Sequence, residues 1–187
     1  MKTLRFRFTL VEVLAVVALV SLLAAIGFGA YSYAMNASRE SNTKALLKRI
    51  EAGLESCRTK YGYYPASTSL DLIKFKLDSS NLISDVEFNA TSESNKTTLS
   101  YEMRKEFLRV IEEESLKKGK TGDFFLEDSW GGKIYYRYPG LINKGGYDLV
   151  SPGPDGKFGK NNKTDPQSDR SDYYSDNEKI CDDITNF

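Results

Sequence analysis

An apolar segment close to the N-terminus is long enough to cross a membrane. Residues 13–31 contain no charged side chain, and as a helix rising ~1.5 Å per residue they would extend roughly 29 Å. That length matches the hydrocarbon core of a bilayer, so the sequence predicts one membrane span. Lys2, Arg5 and Arg7 precede the span, and the positive-inside rule therefore places the N-terminus in the cytoplasm and the residues after about Met35 across the membrane.

A single carboxylate, Glu12, lies one residue before this span. An ionised carboxylate at that depth is costly unless a cation or a protein surface receives it. Two interpretations follow from the residues. The segment is either an uncleaved signal anchor with Glu12 at the level of the lipid headgroups, or a helix whose Glu12 has a partner outside that helix.

The stretch FTLVEVLAVVALVSLLAAIGFGAY, which begins at Phe8, resembles the N-terminus of type IV pilins and type II secretion pseudopilins. The resemblance implies that a prepilin peptidase cuts between Arg7 and Phe8 and methylates the new amine. It also implies that Glu12, the fifth residue of the mature chain, pairs with the N-terminal amine of the preceding subunit in a helical filament. The chain departs from the family pattern at Arg7, where Gly is usual, and at Gly29, where Pro is frequent.

The composition excludes several classes of function. There is no histidine, which removes Ser-His-Asp and Cys-His catalysis and His-ligated zinc. Carboxylate-only chemistry and a Ser-Lys pair are not removed in this way, but the sequence contains no Walker loop and no GxSxG or GxGxxG motif, so we expect no enzymatic activity. The 26 basic and 26 acidic residues cancel, and no basic stripe indicates binding to nucleic acid.

After the span, the apolar pattern predicts an amphipathic helix. Apolar residues recur at spacings of three and four, at Leu46, Leu47, Ile50, Leu54, Cys57 and Tyr61. Gly62 and Pro65 end this helix. With residues 1–7 as a leader, 8–33 as the membrane and assembly half and 34–61 as the amphipathic half, the sequence predicts one helix of about 53 residues.

The remaining residues divide into an αβ region over 62–127 and a β-hairpin with an acidic C-terminal loop over 128–187. The spacing of apolar residues predicts a second helix over 100–118, and residues 89–98 read as a loop. Two β-prone segments, 133–138 and 147–150, predict a hairpin docked on the long helix. The predicted fold class is therefore α+β, with a long N-terminal helix packed on a small antiparallel sheet.

Three C-terminal blocks, DSWGGKIYYRYPG, YDLVSPGPDGKFG and DDITNF, resemble the C-terminal half of type II secretion major pseudopilins. The resemblance implies the pilin fold and a structural subunit that polymerises into a pseudopilus driving protein export. The implied partners are further copies, the prepilin peptidase, the inner-membrane secretion platform and minor pseudopilins. The implied location is the bacterial inner membrane, crossed once, with the globular domain in the periplasm. Two alternatives stay open: a pilin of another type IV filament, for adhesion, motility or DNA uptake, and a membrane-anchored binding module that never polymerises.

The resemblance also implies that Ca²⁺ binds in the C-terminal loop. Carried over by motif, the ligands are the side chains of Asp155, Asp182 and Asp183 and backbone carbonyls near Pro152 and Lys157. From the residues alone, Asp155 before a glycine is a turn signal, and an acidic C-terminal segment is often solvated. An insertion at 159–180 separates the two halves of the implied site and carries four further aspartates, at 165, 169, 172 and 176.

The two cysteines leave two alternatives. Cys57 lies on the apolar stripe of the helix, and Cys181 lies in the acidic C-terminal segment. Both fall on the exported side, where disulfides persist. They form either a disulfide that holds the acidic segment on the helix, or two separate thiols with Cys57 as a small buried residue.

Overall fold

The computed structural model describes residues 9–65, 67–88, 97–117, 119–166, 169–175, 178–179, 181 and 183–187. Its helices are α1 (Leu10–Tyr61), α2 (Tyr101–Ile111) and α3 (Glu113–Lys117). The strands are β1 (Ser67–Leu72), β2 (Lys74–Leu77), β3 (Ile83–Phe88), β4 (Thr97–Thr98), β5 (Phe124–Phe125), β6 (Tyr135–Tyr138), β7 (Asp148–Ser151), β8 (Tyr174–Ser175), β9 (Glu178–Lys179) and β10 (Ile184–Thr185). The chain separates into two compact units, Met1–Ser38 and Arg39–Phe187.

The long N-terminal helix and the α+β class are confirmed. α1 has 52 residues and begins after Thr9, whose hydroxyl accepts the N–H of Glu12 at 3.2 Å. It ends at Tyr61, and the following Gly62 has a φ of 84° and donates its N–H to the carbonyl of Arg58 at 2.7 Å. Glycine adopts this left-handed conformation at little cost, which is why the helix stops there.

In the second unit, α1 buries one stripe, as the apolar spacing predicts. The buried residues are Thr43, Leu47, Ile50, Gly53, Leu54 and Cys57. The predicted Leu46 and Tyr61 are half-buried and pack at the edge of the same core. The stripe therefore faces the sheets and α2, and its outer residues mark where the core ends.

The first sheet contains the predicted hairpin. Its strand order is β1-β6-β7-β10, and each strand is antiparallel to its neighbour. Because side chains alternate along a strand, Tyr136 and Leu149 face the core that α1 covers, whereas Tyr135 and Val150 face the opposite side. On that opposite side a smaller cluster forms, in which Val150 packs with Phe158 and Tyr173 from the C-terminal segment.

The second sheet has the order β4-β3-β2-β5 and was not predicted from the sequence. Its inner face contributes Phe75 and Phe124, whose rings stack at 5.2 Å, to the main core. The predicted loop over 89–98 is wrong at its end, because Thr97–Thr98 pairs with β3. Residues 89–96 lie outside the described residues.

The helix predicted over 100–118 is also corrected, since the structure divides it into α2 and α3. Glu112 between them has a φ of 64°, in the left-handed region. Beyond the break, the buried side chain of Lys117 donates to the carbonyl of Asn81 at 3.0 Å. Glu113 also accepts the N–H of Ile83 at 2.8 Å, so α3 contacts the end of the β2–β3 turn.

Candidate functional site

The first candidate site is the apolar half of α1. Every residue from Thr9 to Asn42 is exposed, and Thr43 is the first buried position among the described residues. By length and composition this helix is able to cross a membrane, although it lies near the N-terminus, where signal sequences have the same properties. Exposed apolar surfaces of this size are typical of regions that contact a membrane or another protein.

Glu12 lies in the first turn of α1, three residues after Thr9. A Thr and a Glu at this spacing match the capping box that stabilises helix N-termini. The position of Glu12 therefore has a structural explanation beside the assembly role that the resemblance implies. Arg7 and Phe8, the predicted processing site, lie outside the described residues.

The predicted metal ligands lie on the C-terminal side of the first sheet. Pro152 is buried at the end of β7, and the following turn, Gly153–Asp155, leaves Asp155 exposed with its carboxylate accepting the N–H of Lys157 at 2.7 Å. Asp183 is fully buried, and its Oδ2 accepts the N–H of Gly159 at 2.7 Å. The structure thus brings Asp183 onto the loop that carries Asp155.

Asp182, the remaining predicted ligand, lies outside the described residues. Within the described part of the chain, no group of three or more His, Cys, Asp or Glu side chains lies close enough together to hold a metal ion. The donor types around the loop, two carboxylates and several backbone carbonyls, are those that Ca²⁺ prefers.

The two cysteines, both within the described residues, are thiols rather than a disulfide. Cys57 is buried beside Tyr136 in the main core, and its thiol donates to the carbonyl of Met103 at 3.7 Å. Burial, reinforced by the negative charge of Glu106, raises the pKa of Cys57 to about 11. Cys181 packs against the cluster of Val150 on the opposite face of the sheet. The structure therefore favours the second alternative, because the first sheet separates the two thiols.

A second candidate site is a groove of about 380 Å³ in the second unit. Its floor is apolar, with Leu116 and Phe124 buried and Leu46 half-buried. Its polar lining includes Lys120 and Glu127, which form an ion pair with each other. This volume falls within the range of about 300–1,000 Å³ that small-molecule pockets occupy.

The rim of the groove is fixed to the long helix through the turn DSWGG. Ser129 donates its N–H to the hydroxyl of Thr43 at 3.1 Å, and that hydroxyl in turn donates to the Ser129 hydroxyl at 3.0 Å. Asp128 is buried and accepts the N–H groups of Trp130 and Gly132 at 2.9 and 2.8 Å. Ser151 adds a hydrogen bond of 2.7 Å to the same carboxylate. These hydrogen bonds join the rim to α1 and to β7.

A third feature is the loop 140–146 between β6 and β7, whose backbone is held by one buried carboxylate. Asp148 accepts the N–H groups of Leu141, Ile142 and Asn143 at 2.8, 3.2 and 2.8 Å. Gly140 closes the loop through its N–H to the carbonyl of Gly146 at 2.9 Å. Despite this order, the side chain of Leu141 is 53% exposed.

The sequence indicated neither the groove nor the exposed leucine as a site. The groove collects residues from α1 and α3 together with Lys120 and the segment 124–129, which no local motif connects. The loop carried a weak signal, since a leucine between a Pro-Gly pair and a Gly-Gly pair is an apolar residue within a turn.

Comparison with known proteins gives no further identification: no protein-family model, no curated protein and no solved structure matches this chain.

Proposed function

We propose that the chain is a structural subunit of a type II secretion pseudopilus, a type IV pilin-like protein that polymerises to drive protein export. One observation carries the proposal: the helix from Leu10 onward exposes only apolar and small or uncharged residues over several turns, apart from Glu12. The N-terminal and C-terminal motifs of the sequence support the same class. The α+β second unit agrees with it.

The charge of Glu12 gives the assembly its specificity. A carboxylate at the edge of an apolar helix loses hydration when that helix enters a membrane or a bundle of helices. Processing before Phe8 creates a positive amine close to Glu12 in sequence. The amine of one copy neutralises Glu12 of the next. The Glu12 carboxylate is costly in an isolated helix, and it therefore favours the register of the filament in which the two groups meet.

The proposal includes a location and a set of partners. The chain crosses the bacterial inner membrane once through α1, and the second unit lies in the periplasm. It is processed by the prepilin peptidase, and it assembles with further copies, minor pseudopilins and the secretion platform. It performs no catalysis.

We also propose that Ca²⁺ stabilises the C-terminal loop. Asp183 and Asp155 would supply carboxylate oxygens, and backbone carbonyls near Pro152 and Lys157 would complete the shell. The support is the contact between Asp183 and the N–H of Gly159, which joins the C-terminal segment to the loop. The ion, when bound, neutralises carboxylates that otherwise repel each other.

Two variants separate the charge of Glu12 from its capping role. Glu12→Gln removes the charge, but glutamine also satisfies the capping box. Thr9→Ala removes the capping hydroxyl and keeps the charge. Both full-length variants are produced in a host with the secretion machinery, and their membrane insertion and filaments are measured by fractionation and electron microscopy.

We expect Glu12→Gln to insert into the membrane as the wild type does and to form no filaments. Thr9→Ala is expected to insert and to assemble. Normal filaments from Glu12→Gln would refute the role of its charge, and absence of any polymer from the wild type would refute the proposed function.

A further inference from the structure

Four asparagines open the sequence N-x-S/T, in which x is not proline: Asn36, Asn89, Asn95 and Asn162. This sequence is the acceptor for N-linked glycans, which oligosaccharyltransferases attach to exported chains. Asn89 and Asn95 lie outside the described residues. Asn36 and Asn162 have different backbone conformations, and these conformations decide which of the two a transferase can recognise.

Asn36 lies within α1. Side chains two positions apart in an α-helix are rotated by about 200° and do not face each other. The carboxamide of Asn36 and the hydroxyl of Ser38 therefore lie on different sides of the helix. A transferase that reads both groups of the acceptor sequence cannot bind them together there.

Asn162 lies instead in a surface turn. An antiparallel bridge between Phe158 and Lys163 closes the turn, with N–H to carbonyl distances of 2.8 and 2.9 Å. Asn162 has a φ of 51° and donates its backbone N–H to the carbonyl of Gly159 at 3.1 Å. All residues from Lys160 to Asp165 are exposed. The acceptor sequence is therefore presented to solvent on a hydrogen-bonded turn.

The two groups that a transferase reads are accessible on this turn. Lys163 pairs as extended chain, and residues on either side of an extended residue lie on the same face, which places Asn162 beside Thr164. Within the described part of the chain, no residue forms a hydrogen bond with the Asn162 carboxamide. The Thr164 hydroxyl donates a long hydrogen bond of 3.4 Å to the exposed Asp165.

The turn lies on the side of the second unit away from α1. Phe158, at the base of the turn, packs with Val150 and Tyr173 on the face of the first sheet opposite the core that α1 covers. Glycans are bulky and hydrophilic, and they lie on protein surfaces. A glycan on this turn would leave the core contacts of α1 unchanged.

We infer that Asn162 carries an N-linked oligosaccharide. The inference rests on the proposed function, because it requires the second unit to lie on the exported side of the membrane, where this transfer takes place. In the transfer, Nδ2 of Asn162 attacks C1 of a sugar that is bound to a lipid diphosphate. The C1–N bond forms, the C1–O bond breaks, the lipid diphosphate leaves, and the amide loses one proton to a base of the transferase.

Mass spectrometry of the full chain, extracted from the membranes of the cells that make it, tests the modification. Cleavage before aspartate gives the peptide 155–164, which contains Asn162. An amidase that releases N-linked glycans converts the modified asparagine to aspartate. In water labelled with oxygen-18, we expect the aspartate at position 162 to carry one labelled oxygen, and the peptide that contains Asn36 to carry no label.

The matched variants change Thr164 rather than Asn162, because the positive φ at position 162 is strained for most other residues. Thr164→Ala removes the hydroxyl that the transferase reads, and we expect the label to be lost. Thr164→Ser keeps a hydroxyl and is expected to keep the label. Both variants change an exposed side chain, so both are expected to melt as the wild type does.

The outcomes distinguish this inference from the proposed function. An unlabelled peptide 155–164 from the wild type, or an equal label in Thr164→Ala, would overturn the inference. A chain that begins at Phe8 and is unlabelled at Asn162 would overturn it alone and leave the proposed function standing. A labelled chain that retains residues 1–7 would support the modification and contradict the proposed processing.

Discussion

Gly53 of α1 lies against Phe107 of α2 so closely that a β-carbon built on the glycine would stand 2.9 Å from Cδ2 of the ring. The same β-carbon would be 3.1 Å from two side-chain atoms of Ile111. Both neighbours are fully buried, so neither has room to move away. The two helices therefore pack at this distance because residue 53 has no side chain.

We expect Gly53→Ala to lower the free energy of unfolding by about 1–3 kcal/mol, as overpacked cores do. Alanine has a higher helix propensity than glycine and would on that ground alone stabilise α1. A decrease in the free energy of unfolding would therefore come from the steric clash. Urea unfolding of the full chain in detergent measures it. Gly29→Ala is the control in the same helix, because no atom other than the neighbouring helix backbone lies within 4 Å of its added carbon. A stabilised Gly53→Ala variant would show that α2 does not pack at this distance.

A carboxylate on α2 makes the stability of the second unit vary with pH in the acid range. Glu106 accepts hydrogen bonds from Arg109 and from Ser56 of α1, each at 2.6 Å. The Arg109 guanidinium first, and the Ser56 hydroxyl second, lower the pKa of Glu106 from 4.5 to about 2. A lowered folded-state pKa stabilises the fold above the ordinary pKa of the carboxyl group, and this contribution is lost as the pH falls from 4.5 to about 2.

We therefore expect Glu106→Gln to be less stable than the wild type near neutral pH, and the difference to vanish at about pH 2. Urea unfolding across this pH range measures both proteins. Glu102→Gln, which changes an exposed carboxylate in the first turn of the same helix, is the control and is expected to follow the wild type. A stability difference that stays constant with pH would contradict the role of the Glu106 charge.

The thiols are expected to differ in reactivity. A maleimide reagent should modify Cys181, which is half-buried, and should leave Cys57 unmodified until the chain unfolds, because burial keeps that thiol protonated. Mass spectrometry of the native and the urea-treated protein measures the labels. Cys181→Ser should take up no label in the native state. Failure of both cysteines to react in urea, with reaction only after reduction, would demonstrate a disulfide instead.

Chelation tests the proposed Ca²⁺ site. We expect a calcium-selective chelator to lower the melting temperature of the full chain in detergent, because a ligand that binds only the folded state stabilises it. Asp183→Asn should remove the effect of the chelator, whereas Asp85→Asn, on the second sheet, should keep it. An unchanged melting curve of the wild type with chelator would contradict the site.

Strong periodicity made α1 and the β6–β7 hairpin predictable. The spacing from Leu47 to Cys57 is that of one helix face, and the glycine at position 62 is a standard stop signal. The break at Glu112 was not predictable, because the apolar pattern continues through it and a left-handed Glu has no local signal. The segment after the break makes contacts that are distant in sequence, such as that of Lys117 with Asn81, and these have no local signal either.

The second sheet was missed for a related reason. Two of its strands, β4 and β5, have two residues each, which is too short for any alternation to appear. Alternation was present in Lys74–Leu77, where Phe75 is the buried residue, but its partner strand was not recognised. The groove includes Phe124 and Phe125 of β5 together with residues of α1 and α3, so a sequence that hides the second sheet also hides the groove.

The central claim is that the chain is a processed, filament-forming subunit, and the intact mass of the membrane-extracted protein tests it most directly. We predict a chain that begins at N-methylated Phe8 and lacks residues 1–7. A mass that retains residues 1–7 would contradict the claim and would identify α1 as the uncleaved anchor of a membrane-bound domain.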